Sequence, residues 1–307
     1  MQPPVEATRQ RLDLASPREI AGLEHLDFMA RGVVEGFLIG LHRSPYRGFS
    51  AEFAENRPYN RGDDTRFLDW KVLARSDRLF IKQFEEETNL RAYLLLDVSK
   101  SMEWVSDPDR FPAKLEYARL LAASLSLLLM QQGDATGLVA FDSRIRAHLG
   151  PRTTRVHWRR LIGHLEALEA DGRTEAGTAL KDVAQRLQRR GLVILISDLL
   201  VDPETTRTSL RFLRHRGHEV LIFHLLDPGE LELPAAGEAI FFDPETGEEL
   251  GTNSAALRRQ YRDAVESAIA GWKKEAMRVG AEYAFVTTDT PLGLALRRFL
   301  RKRTRLG

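Results

Sequence analysis

The stretch YLLLDVSKSM, residues 93–102, places a run of apolar residues directly before an aspartate and two serines. A second apolar run, LVILISD at residues 192–198, also ends in a serine and an aspartate. Short apolar runs bounded by polar turns are typical of strands buried on both faces, because such strands have no polar side to show. We therefore predict two buried parallel strands, each of which ends in polar side chains.

Strand and helix patterns alternate along the chain around these two runs. Further strands are predicted at 137–141, 219–226 and 282–286, and helices at 113–132, 156–168, 179–190, 205–216, 255–279 and 291–300. Apolar strands separated by helices predict an α/β fold with a doubly wound, mostly parallel sheet that helices cover on both faces. Sheets of this kind bind their ligands at the carboxyl ends of the strands.

The chain ahead of the first strand has a different composition. Residues 1–16 are polar with two prolines, and we expect a loose leader there. Ser16 followed by Pro17 is typical of a helix start, and spaced apolar residues continue to Leu41. Residues 43–90 are rich in arginine, aspartate and aromatic residues, and they predict short extended pieces. We therefore expect an N-terminal helix plus β-hairpin extension ahead of the main domain.

These patterns divide the chain into a leader, an extension and one α/β domain, at 1–16, 17–90 and 91–307. One segment inside the α/β domain, residues 227–250, holds eight acidic residues and neither lysine nor arginine. Its pattern predicts a β-hairpin with a glycine-containing turn, inserted at the sheet edge. A solvated loop and an acidic docking surface both fit this composition.

Composition excludes several classes of protein. The 307 residues include no cysteine, so a disulfide scaffold, an iron–sulfur cluster and a cysteine nucleophile are excluded. The 45 Lys and Arg residues balance 44 Asp and Glu residues, which argues against a dedicated nucleic-acid binder. The longest charge-free apolar stretch, residues 120–130, is too short to span a membrane, and no secretory signal is visible. We therefore expect a cytoplasmic protein without membrane contact.

Polar side chains at three loops carry the chemical signal. Asp97, Ser99 and Ser101 follow the first apolar strand, Thr174 lies between two predicted helices, and Asp198 follows the strand at 192–197. We expect these side chains to meet at one edge of the sheet, because the carboxyl ends of parallel strands lie together. Hard oxygen ligands of limited negative charge suit Mg²⁺, or Mn²⁺ in its place. Helix caps and turn residues without any metal are the alternative interpretation.

This order of residues resembles the metal-ion-dependent adhesion site of von Willebrand factor A-type domains. The family pattern is Asp-x-Ser-x-Ser, a distant Thr and a distant Asp after a hydrophobic strand, and all five positions match here. The resemblance implies that the serines and the threonine bind the metal directly, or nearly so, while the aspartates often act through water.

Motifs ahead of the first strand make the resemblance more specific. The segments at 49–53, 57–59, 61–64, 69–71 and 74–75 look like the signature of the domain-of-unknown-function 58 family, DUF58, whose members are von Willebrand A-like. The apolar residues at 291–300 are similar to the family's ending, so the resemblance covers about residues 20–302. It implies an association with MoxR-type AAA+ ATPases in assembly or chaperone work. The motif between Arg57 and Arg75 fits a structural hairpin or a partner-docking surface.

Two classes of function follow from these residues. The first is a metal-dependent interaction module in which an acidic side chain of a protein partner completes the metal's ligand shell; the family resemblance implies that this partner is a MoxR-type ATPase or its client. The second is a Mg²⁺-dependent phosphohydrolase. Aspartyl-phosphate chemistry needs an acid two residues after the nucleophile, and this chain has Ser99 there. The sequence also shows no evident lysine and aspartate that could assist such a reaction. We therefore expect an interaction module and no enzyme.

Overall fold

The computed structural model of this protein describes residues 25–43, 56–58, 79–82, 90–170, 176–187, 189–200, 202–233, 238–242 and 249–303. Among these residues no helix is long and apolar enough to cross a lipid bilayer. The predicted leader, most of the arginine- and aspartate-rich motif and Thr174 lie outside the described residues.

Helices and strands alternate through the described chain. The helices are α1 Leu26–Arg43, α2 Lys114–Gln131, α3 Arg155–Glu166, α4 Ala176–Arg186, α5 Pro203–His215, α6 Ser254–Arg278 and α7 Leu292–Arg303. The strands are β1 Asn56–Pro58, β2 Phe80–Lys82, β3 Arg91–Asp97, β4 Ala135–Phe141, β5 Ile145–Arg152, β6 Leu192–Ser197, β7 Glu219–Leu226, β8 Glu238–Phe242, β9 Glu249–Asn253 and β10 Glu282–Thr287. Two short 3₁₀ turns follow β3 and β7, at Lys100–Glu103 and Pro228–Glu230.

Six strands form the central sheet in the order β10-β7-β6-β3-β4-β5. All neighbouring strands are parallel except β5, which runs antiparallel to β4. In the middle of the sheet, Leu95 of β3 lies in register between Val139 of β4 and Leu195 of β6. The doubly wound, mostly parallel α/β fold predicted from the sequence is therefore confirmed.

Helices cover both faces of the sheet. Alternate strand residues such as Leu94 and Ile194 face α1, α2, α3 and α7 in one core, while Leu95 and Val193 face α4, α5 and α6 in the other. Strands buried on both faces have no polar side, which explains their continuous apolar runs. The charge-free part of α2 belongs to the first core, as expected from its composition.

The edge strand β5 is absent from the sequence-based prediction. Its burial alternates between half-buried and exposed residues along its whole length, because only one of its faces is covered. Ile145, Ala147 and Leu149 alternate with Arg146 and His148, so a period of two residues was the signal that could have revealed it. The strand is polar on one side, and charged residues on an edge strand discourage pairing with another chain.

The extension contributes one helix to the first core. Ala30, Val34 and Phe37 of α1 are buried in that core, which α2 also lines. The helix begins at Leu26, after the non-helical His25, so it does not run continuously from the expected start at Ser16. The predicted cap at Ser16 lies outside the described residues.

Two small antiparallel pairs accompany the sheet. β1 pairs with β2, and β8 pairs with β9 within the acidic segment, where Phe242 lies opposite Glu249. The division of the chain into a leader, an extension and an α/β domain stays a prediction.

Candidate functional site

The reversal of strand order defines a crevice at the carboxyl edge of the sheet. From β3 the chain moves outward to β4 and β5, and it then returns to β6 and continues to β7 and β10 on the other side. Connections that leave neighbouring strands in opposite directions open a crevice between them, where doubly wound proteins bind ligands. Asp97 ends β3, and Ser197 ends β6 with Asp198 directly behind it. The predicted site therefore lies at the switch point of the sheet.

Asp97 and the two following serines form one hydrogen-bonded group. The Oδ1 atom of Asp97 accepts hydrogen bonds from the backbone N–H and the Oγ of Ser99, at 3.0 and 2.7 Å. The Oγ atoms of Ser99 and Ser101 are 3.1 Å apart. Ser99 stands at the N-cap of the 3₁₀ turn, but its side chain makes no capping hydrogen bond. Ser99 therefore makes no side-chain cap, because its hydroxyl faces Asp97, whereas the bond from its N–H to Asp97 fits the turn residues of the alternative interpretation.

A further serine, which the sequence-based site did not include, ties the two strands together. Ser197 Oγ donates to the Oδ2 atom of Asp97 at 2.6 Å, and it accepts from the backbone N–H of Leu199 at 2.9 Å. Both carboxylate oxygens of Asp97 therefore have protein donors. Ser197 stands directly before Asp198 at a strand end, and this position was the signal in the sequence.

Asp198 is held by a lysine that the sequence analysis missed. Lys114 Nζ lies 2.8 Å from Asp198 Oδ2 and 2.5 Å from Glu230 Oε1. The side chains of Lys114 and Asp198 are both 0% exposed, so water does not screen this ion pair. No pairing of a lysine with a site aspartate was evident in the sequence, and the structure shows one between Lys114 and Asp198. Lysine at the start of an apolar helix is only a weak signal, since charges at helix ends are normally solvated.

The same ion pairs connect the site to the loop after β7. Glu230 also accepts from the backbone N–H of Asp227 at 2.7 Å, through its Oε2 atom. Asp227 in turn accepts from the backbone N–H of Gly229 at 2.7 Å and from the hydroxyl of Ser106, in the loop after β3. The loops after β3, β6 and β7 are thus joined by buried or half-buried polar contacts.

Burial destabilises the charged forms of Asp97 and Glu230. Burial, followed by the negative charge of Asp198, raises the pKa of Asp97 from 3.8 to about 6, although hydrogen bonds from Ser197 and Ser99 oppose the shift. Burial also raises the pKa of Glu230, against the attraction of Lys114. Burial alone would lower the pKa of Lys114, but Asp198 and Glu230 more than offset that effect, so its pKa is raised.

Two neighbours of Asp198 complete the description of the site. Burial lowers the pKa of His224 from 6.5 to about 4, so this ring is neutral at pH 7; its Nδ1 lies 2.6 Å from the hydroxyl of Tyr283.

Leu199 has a φ of 54° and is only 3% exposed. Left-handed backbone at a leucine costs about 1–2 kcal/mol, so the turn after Asp198 holds a strained conformation.

The residues present fit a hard divalent cation. Around an ion with metal–oxygen distances of about 2.1 Å, adjacent ligands of an octahedron lie about 3 Å apart, which matches the two serine hydroxyls. With Asp97, Asp198 and Glu230 ionised and Lys114 protonated, the cluster carries an excess of two negative charges. The described residues contain no group of three or more His, Cys, Asp or Glu placed to hold a metal. The fit therefore depends on hydroxyl donors beside Asp97.

Four of the five predicted metal-site residues lie in the described part of the chain. Asp97, Ser99 and Ser101 lie together, and Asp198 is their neighbour across the switch point, with its carboxylate turned to Lys114. Thr174 lies outside the described residues.

Several known proteins are similar to this chain. An uncharacterized protein of Mycobacterium tuberculosis is 30% identical over 240 residues, which cover 77% of this chain and 74% of that protein. An uncharacterized protein of Mycobacterium avium is 31% identical over 137 residues, covering 43% of this chain and 78% of the relative.

Solved structures with similar folds have low sequence identity. An aerotolerance-related membrane protein from Bacteroides fragilis has a TM-score of 0.47 at 17% identity, covering 69% of this chain and 99% of that one. The VWA domain of SpRpn10 has a TM-score of 0.38 at 13% identity, covering 66% of this chain and 92% of that one. Similarities of this size carry no information about activity.

The match to a family model is more extensive. The model described as "Protein of unknown function DUF58" matches residues 55–270, which include the switch point and all five predicted site residues. The resemblance identified from the sequence motifs is therefore confirmed, and this chain belongs to the DUF58 family.

Proposed function

We propose that this chain is a metal-dependent protein-interaction module. The observation that carries the proposal is the group formed by Asp97, Ser99 and Ser101 at the switch point, whose hydroxyl spacing suits Mg²⁺ or Mn²⁺. A bound divalent ion would supply positive charge at a place where the cluster has an excess of two negative charges. Asp198 would contribute charge at a distance, because Lys114 already occupies its Oδ2 atom.

A carboxylate from a protein partner is the ligand that this site would recruit. The buried carboxylates would balance a divalent ion overall, but the ligands nearest to it would include neutral serine hydroxyls, so the ion would keep a local attraction for an anionic side chain at an open position. Exposed apolar residues stand in the loops on both sides of the site: Trp104 is 40% exposed after β3, and Leu200 is 55% exposed after β6. Apolar and aromatic surface around a charged contact is typical of protein interfaces.

The family resemblance points to a MoxR-type AAA+ ATPase, or its client, as the partner. In this proposal the chain acts as an adaptor that holds an acidic side chain of the partner during assembly or chaperone work, and it catalyses no reaction of its own.

Calorimetric titration tests the metal site. Protein stripped with EDTA is titrated with Mg²⁺ and with Mn²⁺, and we expect one site that is lost in Asp97→Asn. Asp289→Asn is the matched control, because Asp289 is an exposed carboxylate in the loop that follows β10 at the same edge of the sheet. Equal metal binding by the protein and by Asp97→Asn would overturn the assignment.

A pull-down tests the partner. The immobilised protein is offered the MoxR-type ATPase encoded nearest to its own gene, with Mg²⁺ or with EDTA. We expect capture only with Mg²⁺, and loss of capture in Ser99→Ala, whose circular dichroism spectrum should match that of the unaltered protein. Capture that is the same with and without metal would contradict the metal-dependent mechanism, even if the calorimetry shows an ion.

One observation favours the phosphohydrolase as a second candidate. The buried Lys114–Asp198 pair places an ammonium group next to the switch point, where it could stabilise charge on a phosphoryl group. Ser99 still occupies the position where aspartyl-phosphate chemistry needs an acid, and Asp97 is fully buried. Turnover of generic phosphoesters that requires Mg²⁺ and is lost in Asp97→Asn would favour this second function over the first.

A further inference from the structure

Arginines collect at the edge of the sheet opposite to the candidate site. A groove at the amino ends of the central strands is lined by Arg91 at the start of β3, by Arg189 and Arg190 ahead of β6, and by Glu219 at the start of β7. The start of β7 lies beside the start of β6 in the sheet. The backbone N–H of Glu219 donates to the carbonyl of Gly191 at 3.0 Å. Three guanidinium groups and one carboxylate therefore share one concave surface.

Two glycines allow this groove to form. A Cβ atom on Gly191 would lie 2.1 Å from the carbonyl oxygen of Arg91, so the loop that carries Arg189 and Arg190 approaches β3 as closely as the backbones permit. Gly217 has a φ of 82°, and a Cβ there would lie 2.8 Å from the Nε atom of Arg190. Arg190 therefore lies over a glycine turn, and a larger residue at either position would close the groove.

The structure does not otherwise account for these three cations. Arg189 and Arg190 are exposed and Arg91 is half-buried, and within the described part of the chain none of their guanidinium groups forms an ion pair or a hydrogen bond. Cations in the last turn of a helix complement the helix dipole, but α4 already ends at Arg186 and α5 at His215. Arg91, Arg189 and Arg190 lie outside these turns, so no helix dipole balances their charge and no carboxylate among the described residues forms an ion pair with them.

The single carboxylate in the groove selects among anionic ligands. Glu219 lines the groove beside the three arginines, so a nucleic-acid backbone would place its phosphates against this carboxylate. A peptide brings backbone N–H groups together with its carboxylates, and the planar fork of arginine matches a carboxylate in two hydrogen bonds. The groove therefore suits an acidic peptide better than a nucleic acid.

We propose that this groove, formed by Arg91, Arg189, Arg190 and Glu219, docks an acidic peptide segment of a protein partner. The partner's carboxylates pair with the three guanidinium groups, and a peptide N–H faces Glu219. This surface is independent of the metal site, since the two lie at opposite edges of the sheet.

Fluorescence anisotropy with a labelled peptide of alternating glutamate and aspartate tests this proposal. At low salt we expect the full chain to bind the peptide, and Arg189→Glu combined with Arg190→Glu to weaken binding by about tenfold or more. Arg259→Glu is the matched control: Arg259 is 89% exposed on α6, away from the groove, and this variant should bind within about twofold of the unaltered protein. All three substituted positions are exposed, and circular dichroism verifies the fold of each variant.

Three results would overturn the proposal. The first is no binding of the peptide by the unaltered chain at low salt. The second is an equal loss of binding in Arg259→Glu and in the double variant, which would indicate only general electrostatic attraction. The third is tighter binding of a single-stranded oligonucleotide than of the peptide, with that binding lost in the double variant, which would assign the groove to nucleic acid.

Discussion

Asp97 carries its charge where water is excluded. Its two oxygens accept hydrogen bonds from Ser99 and Ser197, yet burial and the charge of Asp198 still raise its pKa to about 6. A carboxylate kept in this place lowers the stability of the metal-free fold, and the metal site proposed above would offset that cost. Strained or charged groups of this kind concentrate at functional sites.

Replacing Asp97 by asparagine is therefore expected to stabilise the metal-free protein at pH 7. The pKa is 3.8 in the unfolded chain and about 6 in the folded one, so the folded state retains a proton that the unfolded state has lost. Stability consequently falls as pH rises from about 4 to about 6, by a total of about 3 kcal/mol, and Asp97→Asn escapes this loss. Urea unfolding in EDTA at pH 4.5 and pH 7 measures the effect. Lower stability of the variant than of the unaltered protein at pH 7 would contradict the prediction.

Lys114 is the second decisive side chain, because it compensates two buried carboxylates. Lys114→Met should destabilise the protein by about 3–5 kcal/mol, since Asp198 and Glu230 lose their cation. Adding Glu230→Gln to this variant should recover part of the loss, because one uncompensated charge is removed. Urea unfolding of both variants measures these changes.

Lys100→Met is the matched control for Lys114→Met. Lys100 is 42% exposed and pairs with Glu103 on the surface, so we expect a change of at most about 1 kcal/mol. If the two lysine substitutions lowered the unfolding free energy equally, the buried ion pairs of Lys114 would contribute no more stability than a surface pair, and the prediction would be wrong.

At the scale of elements, three loops form the candidate site, and the antiparallel pair of β4 and β5 ends the sheet on one side. The loops after β3, β6 and β7 are joined by Lys114 and Asp227, so the site is held by contacts between segments far apart in sequence. At the other side of the sheet, the register of β4 and β5 shifts between Thr136 and Leu138. Gly137 lies within this irregularity, where the two backbones approach closely.

Gly137→Ala is expected to weaken this strand pair. A Cβ atom at Gly137 would lie 2.6 Å from the carbonyl oxygen of Leu149 and 2.8 Å from the nitrogen of Pro151, and both are backbone atoms. Since backbone cannot move aside cheaply, we expect a loss of about 1–3 kcal/mol in unfolding free energy. Gly150→Ala on β5 is the control, because a Cβ there meets no atom within 4 Å, and its effect should stay within about 0.5 kcal/mol. Equal thermal stability of the two variants would refute the steric argument.

At the scale of the whole molecule, opposite charges lie at opposite edges of one sheet. The carboxyl edge holds the buried acidic cluster, and the amino edge holds the arginine groove, while the chain as a whole carries a net charge of only +1. The balanced composition argues against a dedicated nucleic-acid binder, but it does not show where on the surface the charges lie. Composition sums charges over the chain, whereas the fold separates them by strand direction.

The pH dependence of stability combines groups of opposite sign. Burial lowers the pKa of His224 to about 4, against 6.5 in the unfolded chain, so the unfolded state binds the proton more readily. This histidine therefore costs stability as pH falls below about 6.5, while Asp97 regains stability between about 6 and 4. In EDTA the two contributions partly cancel.

His224→Gln isolates one of these contributions. The stability of this variant relative to the unaltered protein should rise by up to about 3 kcal/mol as pH falls from 6.5 to 4. Urea unfolding of both proteins across this range, in EDTA, measures the difference. A difference that does not change with pH would show that His224 titrates normally in the folded protein.

The sequence by itself determined the order of strands and helices, the doubly wound fold and the position of Asp97, Ser99 and Ser101 after a central strand. These features follow from local apolar runs and from the rule that parallel strands end at one edge. Only the tertiary structure decided that Lys114 pairs with Asp198, that Ser197 donates to Asp97 and that three arginines line one groove. Lys114 and Asp198 are 84 residues apart in the chain, and no local pattern encodes a contact that only the packing of α2 against the sheet brings about.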